Sequence, residues 1–170
     1  VSGRRDAEFE ELYRTTWAHL FRVAYGVAGD RTVAEDALQA AYAKAYASWA
    51  RVQAAENPEA YVRRMAVNEV LNTVRKPWFR AERSTDDPRP SPLDSHEGAT
   101  VERDAVWRAV RALAPRQRAV IVLRYYEGLS EAEIARTLGC SAGTVKSQAS
   151  AALTNLRAHG LTSVLAGDPA

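Results

Sequence analysis

The sequence predicts an all-α protein made of two small helical domains joined by a flexible linker. Three observations lead there. Apolar residues recur at three- and four-residue steps over most of the chain, the signature of helices with one inward face. No segment alternates apolar and polar residues convincingly enough to read as a strand. A proline-rich stretch without apolar period interrupts the middle. The 170 residues suit one domain or two small ones, and a 46% hydrophobic content is enough to bury a core.

In the first helix Phe9, Leu12, Tyr13, Trp17, Leu20, Phe21, Ala24 and Val27 share one face, and Gly29-Asp30 ends it. The second runs from about Thr32 to Trp49, with Ala34, Ala37, Leu38, Ala41, Tyr42, Ala45, Tyr46 and Trp49 on a stripe. Glu35 and Asp36 sit early in it, where the helix dipole favours negative charge. Asn57-Pro58 reads as a cap followed by proline in the first turn. A third helix then extends to about Arg75, turning Tyr61, Val62, Met65, Val70, Leu71 and Val74 inward. Three such helices with short connections make a bundle, placed at residues 6–78.

From Pro77 to about Thr100 the period fails, and Pro77, Pro88, Pro90 and Pro92 read as a linker, placed at 79–100. A structureless loop longer than roughly 12–15 residues is rare inside a compact domain, so the boundary falls here. Helical periodicity returns at Val101 and defines a second domain, 101–160. It holds a helix through Leu113, a helix from Pro115 to Gly128, a capped helix starting at Ser130, and a last helix from Ala142 to about His159. Ser130 and Glu133 have the spacing of a capping box.

Net charge is only +2, yet it alternates along the chain. Residues 1–57 carry −1, 58–83 carry +3, 84–110 carry −3 and 111–160 carry +4. Two basic blocks around an acidic one suit two surfaces that face polyanions, or two ordinary solvated helical faces. Residues 130–157 have the layout of a helix-turn-helix: a short capped helix, a glycine turn and a longer helix. Ile134, Ala135 and Leu138 can pack on Val145 and Ala149. The outer face then carries Gly143, Thr144, Lys146, Ser147, Ser150 and Ala151, small groups and one lysine suited to a major groove.

EGLSEAEIARTLGCSAGTVKSQASAALTNLR, preceded by ALAPRQRAVIVLRYYEG, resembles the promoter-binding C-terminal domain of bacterial sigma factors, in particular the small two-domain extracytoplasmic-function (ECF) class of the sigma-70 family. TVAEDALQAAYAKAYASW resembles that class's polymerase-binding and strand-opening helices, and NPEAYVRRMAVNEVLNTVRK its reader of the promoter −10 element. The resemblance covers about residues 7–158, and within the class it is to an actinobacterial, SigE-type subgroup. It implies a subunit that joins core RNA polymerase and lends it promoter specificity, without a cofactor.

Residue by residue, the resemblance implies a surface for the polymerase clamp coiled coil at Glu35, Asp36, Leu38 and Gln39. Arg63, Arg64, Arg75 and Lys76 would neutralise phosphates near the −10 element, which gives salt-dependent affinity and no sequence information. Asn68 occupies a position where the family commonly has asparagine. An amide both donates and accepts, so it can read the edge of a flipped base. The Val52–Asn57 loop would help form that base's pocket. Tyr61 and Trp49 are candidates for stacking on separated strands, or for ordinary core packing. Thr144, Lys146, Ser147 and Ser150 would face the −35 duplex, with Arg116, Arg118 and Arg124 on phosphates. Many relatives read KSR where this chain has KSQ, ending in Gln148, and Ala149 and Ala151 replace larger side chains. Shape and phosphate contacts are therefore expected to carry more of the −35 recognition. The linker acids Asp86, Asp87, Asp94 and Glu97 fit either a soluble tether or a segment threading the polymerase channel.

Other classes fare worse. His19, His96 and His159 are scattered, no cysteine pairs with them, and no nucleophile elbow or phosphate loop occurs, so no enzyme is expected. A stand-alone helix-turn-helix regulator is the alternative. No run approaches the ~20 apolar residues of a membrane span, mean hydropathy is −0.35, and VSGRRDAEFEELY lacks the apolar core of a signal peptide. The single Cys140 allows no internal disulfide and suits a reducing cytoplasm; it is a small turn residue or a redox-sensitive one. Core RNA polymerase and promoter DNA are the expected partners, and an anti-sigma factor is expected for many relatives of this class.

Overall fold

The computed structural model describes residues 2–75 and 101–161, and the chain divides into two compact units, Val1–Ser84 and Thr85–Ala170. All described regular structure is helical. Lys76 and the expected linker 79–100 lie outside the described residues.

In the first unit α1 spans Ser2–Ala28, α2 Arg31–Ala47, α3 Trp49–Gln53 and α4 Pro58–Val74. The break between α1 and α2 is local chemistry. Gly29 takes a left-handed φ of 67°, which a side chain would resist. Asp30 then caps α2, its Oδ1 accepting from Val33 N at 2.9 Å. The dipole at this end is met by Asp30; Glu35 and Asp36 fall beyond the first turn. Asn57 caps α4 in the same manner, accepting from Ala60 N at 3.0 Å ahead of Pro58.

Helices α1, α2 and α4 pack mutually. Their seam is lined by small residues: Ala24, Ala34, Ala41 and Ala45 are completely buried, with Val27, Leu38, Val62, Val67 and Val70 around them. At one end the seam widens into aromatic packing. Phe9 meets Tyr42, Tyr46 and Trp49 edge-on, and Tyr42 stacks on Trp17 at 5.7 Å. Trp49 is core, whereas Tyr46, placed on the inward stripe from sequence, is exposed.

Two boundaries differ from expectation. Helix α1 begins seven residues before Phe9 because polar groups extend it. Arg4 pairs with Glu8 at 2.9 Å, Arg5 bonds the Tyr46 carbonyl and covers its ring, and Tyr46 donates to Asp6 at 2.7 Å. Gln53 donates to Glu8 at 2.8 Å, tying α3 to the same end. Val52, expected in a loop, belongs to α3 and is fully buried, so the connection to α4 shrinks to residues 54–57.

The second unit holds α5, Val101–Ala112; α6, Pro115–Ile121; a π-helical turn, Val122–Tyr126; α7, Glu131–Leu138; and α8, Ala142–Ala158. One core cluster joins Ala109 and Val110 of α5, and Leu113 just after it, to Ile121, Ala152, Leu156 and Leu161. The helix expected from Pro115 to Gly128 runs as α-helix to Ile121 and widens into the π turn through Tyr126, with Glu127 N donating to Val122 O at 3.1 Å and Gly128 following at a left-handed φ of 68°.

Tyr42 yields a pH prediction. Its hydroxyl lies 2.5 Å from Thr16 Oγ1. Burial pushes its pKa up from 10.0 to about 12, with the Thr16 hydrogen bond pulling the other way. The folded state thus keeps a proton that the unfolded chain releases first. This stabilisation is complete below pH 10 and is lost as pH rises toward 12. Urea midpoints should fall across that window, and fall less in Tyr42→Phe, which should itself cost about 1 kcal/mol at neutral pH. Parallel alkaline declines in the two proteins would contradict the assignment.

Candidate nucleic-acid interface

Helices α7 and α8 form the helix-turn-helix, and local sequence explains each joint. Ser130 and Glu133 complete the capping box: Glu133 N donates to Ser130 Oγ at 3.2 Å, and Ser130 N to Glu133 Oε2 at 2.8 Å. Gly139 closes α7 at a left-handed φ of 64°, and Cys140 N reaches back to Ala135 O at 3.0 Å. Ser141 caps α8 by accepting from Thr144 N at 3.1 Å. Ile134, Leu138, Val145 and Ala149 are buried, which fixes the rotation of α8 and turns Lys146, Ser147 and Ser150 outward, all exposed. Thr144 is half-buried, its hydroxyl 3.0 Å from Ser141 Oγ, and Ser147 Oγ donates to Thr144 O at 3.0 Å.

Beside this face a groove is lined by Arg124, Glu131, Lys146, Ala149, Ser150, Leu153 and Arg157. Arg124 comes from the π turn, its guanidinium 5.6 Å from the Tyr125 ring centre. Lys146 Nζ lies 3.8 Å from Glu131 Oε2. Arg157 and Glu131 were not among the sequence-derived site residues. Glu131 and Lys146 are fifteen positions apart on different helices, beyond the reach of i,i+4 reasoning, though a lone lysine opposite an acidic helix start is a usable signal.

Arg116 is half-buried at the start of α6. Arg118 corrects the sequence reading: it is only 3% exposed, so it is unsuited to a phosphate contact. Its Nη1 donates to Arg111 O at 3.0 Å and Leu113 O at 3.5 Å, satisfying carbonyls at the end of α5 where the dipole favours a cation.

On the first unit, α4 presents Arg64 and Arg75 exposed, with Arg63, Tyr61 and Asn68 half-buried. Asn68 Nδ2 donates to Arg64 O at 2.8 Å, so base reading by that amide would require this bond to be exchanged. Trp49 is buried against α3's neighbours, and among the described residues its indole N–H has no hydrogen-bond partner. On α2, Asp36 and Gln39 are exposed and Glu35 pairs with Arg31 at 3.0 Å. Leu38, grouped with them from sequence, is completely buried: it belongs to the seam and positions the surface without being part of it.

Comparison with known proteins decides the family. Residues 12–80 match the family described as Sigma-70 region 2, and residues 103–156 match Sigma-70, region 4. RNA polymerase sigma-E factor of Streptomyces coelicolor is 38% identical over 154 residues, 88% of this chain and 84% of that protein. ECF RNA polymerase sigma factor SigL of Mycobacterium tuberculosis is 32% identical over 164 residues, 92% of this chain and 93% of that protein. The chain belongs to the ECF RNA polymerase sigma factors. This sigma factor accordingly directs promoter-specific initiation of transcription by RNA polymerase, and membership of both regions disfavours the stand-alone regulator. The fold agrees with a solved sigma factor, RpoE of Bartonella quintana in complex with the anti-sigma factor NepR, at a TM-score of 0.73 and 23% identity over 92% of this chain and 98% of that one. Among the described residues no helix is long and apolar enough to cross a membrane, and no group of three His, Cys, Asp or Glu is placed to hold a metal.

Arg118→Ala should lower the stability of the second unit by about 1.5–3 kcal/mol, the range for hydrogen bonds from a charged donor. The salt slope of DNA binding should stay as in wild type. A shallower slope with unchanged stability would return Arg118 to the phosphate contacts.

Proposed function

We propose that the two units divide promoter reading between a single strand and a duplex. Residues 6–78 bind polymerase and capture the opened −10 element; residues 101–160 read the −35 element as duplex; residues 79–100 join them. The observation that carries this reading is the sidedness of both units. Each buries one face of its helices and leaves outside the residue types that its own sigma region would use.

Arg63 and Arg64 on α4, Arg75 at its C-cap and Lys76 next in the sequence hold the strand by its phosphates, and Asn68 reads a base turned out of the stack. Capturing that base offsets the few kcal/mol of unstacking, so opening needs no nucleophile and no nucleotide hydrolysis by this chain. The protein has no catalytic chemistry of its own; the polymerase supplies it. Tyr61, half-exposed beside this face, stacks on the separated strand. On α2, Asp36 and Gln39, with Glu35 alongside, form the charged rim of a helix-on-helix contact with the polymerase clamp coiled coil.

In the second unit α8 enters the major groove, Ser147, Ser150 and Thr144 approach base edges and phosphates, and Lys146, Arg116 and Arg124 neutralise backbone charge. With Gln148 where relatives have arginine, long side chains are few, so duplex shape carries a large share of −35 specificity. The protein works in the cytoplasm, where its polymerase is. Its exposed faces suit masking by an anti-sigma factor: RpoE was solved with NepR, and CnrH with the cytosolic domain of CnrY.

Holoenzyme assembled with core polymerase tests the division. Asn68→Ala should cut run-off transcription about tenfold, equivalent to about 1.4 kcal/mol, and erase preference at one −10 position. Lys146→Ala should weaken promoter binding evenly across sequences and make the salt slope shallower by about 0.9. Unaltered −10 preference in Asn68→Ala would remove the base-reading role.

A further inference from the structure

Lys146 is the single lysine on the outer face of α8, and it is already engaged. Its Nζ lies 3.8 Å from Glu131 Oε2, across the angle between α7 and α8. Glu131 stands in the first turn of α7, where the helix dipole favours a carboxylate, and the Ser130–Glu133 capping box holds that turn in place. The groove they share also receives Arg124 and Arg157, and Glu131 is the acid among its described lining residues. Side-chain exposures of 68% for Lys146 and 37% for Glu131 make this a solvated pair, of the kind whose net strength is small and screened by salt. It is therefore strong enough to bias where the lysine rests and weak enough to be exchanged.

We propose that Glu131 is an internal competitor for Lys146: its carboxylate takes the place of a DNA phosphate in the free protein and restrains binding to duplex DNA. The inference rests on the duplex-reading role of α8 given above. A phosphate arriving at Lys146 has to displace the carboxylate and then lie near it in the same groove. The lysine releases a bound counterion from DNA only to the extent that Glu131 lets go. Non-specific duplex binding consists almost wholly of this electrostatic contribution. The restraint therefore falls hardest on a free sigma factor meeting unrelated DNA, and least where base contacts and the polymerase add their own affinity. The capping box is untouched by this exchange, since it uses Glu133 and leaves Glu131 free to swing between its two environments without loosening the helix.

The test is a salt titration of the full chain against a short mixed-sequence DNA duplex, followed by fluorescence anisotropy. Glu131→Gln should bind about two- to fivefold more tightly at low salt. Its slope of log K against log salt should be steeper by a fraction of the roughly 0.9 that one fully neutralised phosphate contributes, the share that Glu131 withholds from Lys146. Glu131→Asp, which keeps the charge but withdraws it by one methylene from Lys146, should recover part of the same gain. In a Lys146→Ala background Glu131→Gln should have no effect. Unchanged affinity and slope in Glu131→Gln would overturn the inference while leaving the duplex-reading role intact. So would an equal gain in the Lys146→Ala background, because Glu131 would then repel DNA directly. Absence of duplex binding by wild type and Glu131→Gln alike at the lowest salt would remove the duplex-reading role, and the inference with it.

Discussion

Helix α2 packs against both α1 and α4 through an inward face rich in alanine. Ala34, Ala41 and Ala45 are completely buried, spaced so that they share one side of the helix, and Ala24 of α1 and Ala66 of α4 are buried as well. A larger residue at these positions would push the three axes apart, a change that close-packed interiors tolerate poorly. Leu38 and Tyr42 are the two bulky members of the stripe, and their placement decides where the bundle is wide. The outward positions of α2 and α4 follow from that rotation. Asp36 and Gln39 face out because Ala37 and Leu38 face in; Arg64 and Asn68 lie off the core because Val62, Ala66 and Val67 occupy it.

The second unit meets the same constraint with different means. Its core needs α8 to present Val145, Ala149, Ala152 and Leu156 inward, a spacing that carries the stripe through about three turns. Gly139 and the two serine caps set the angle at which α7 meets α8. Lys146, Ser147 and Ser150 are then left on the outside as a consequence of packing, in the place where a groove-reading helix needs polar groups.

Much of this was legible in the sequence where the determining chemistry is local. Asn57-Pro58, Ser130 with Glu133, and Gly139 act within three or four residues, and all three occupy the roles their spacing suggested. Periodicity located the helices for the same reason. What escaped was set by contacts between elements. The first turns of α1 carry no apolar stripe and are helical because Arg5, Asp6 and Glu8 bond Tyr46 and Gln53, forty or more residues away. Arg118 looked like a phosphate contact because arginine is usually exposed. Its burial is forced by open carbonyls at the end of α5, to which only a long cation reaches back. Leu38 lay within a motif associated with partner binding, although its spacing with Ala34, Ala41 and Ala45 already placed it in the seam.

The most direct test of the account is the sequence motif this chain imposes on core RNA polymerase. Transcripts from a randomised promoter library, made with and without the purified protein, would be sequenced and their upstream DNA aligned. The account predicts start sites that appear only with the protein and share two unlike blocks, one at the melted −10 position and one upstream in duplex. Transcripts indifferent to the protein, or a palindrome of two like half-sites spaced by about one helical turn, as a dimeric helix-turn-helix regulator would select, would contradict it.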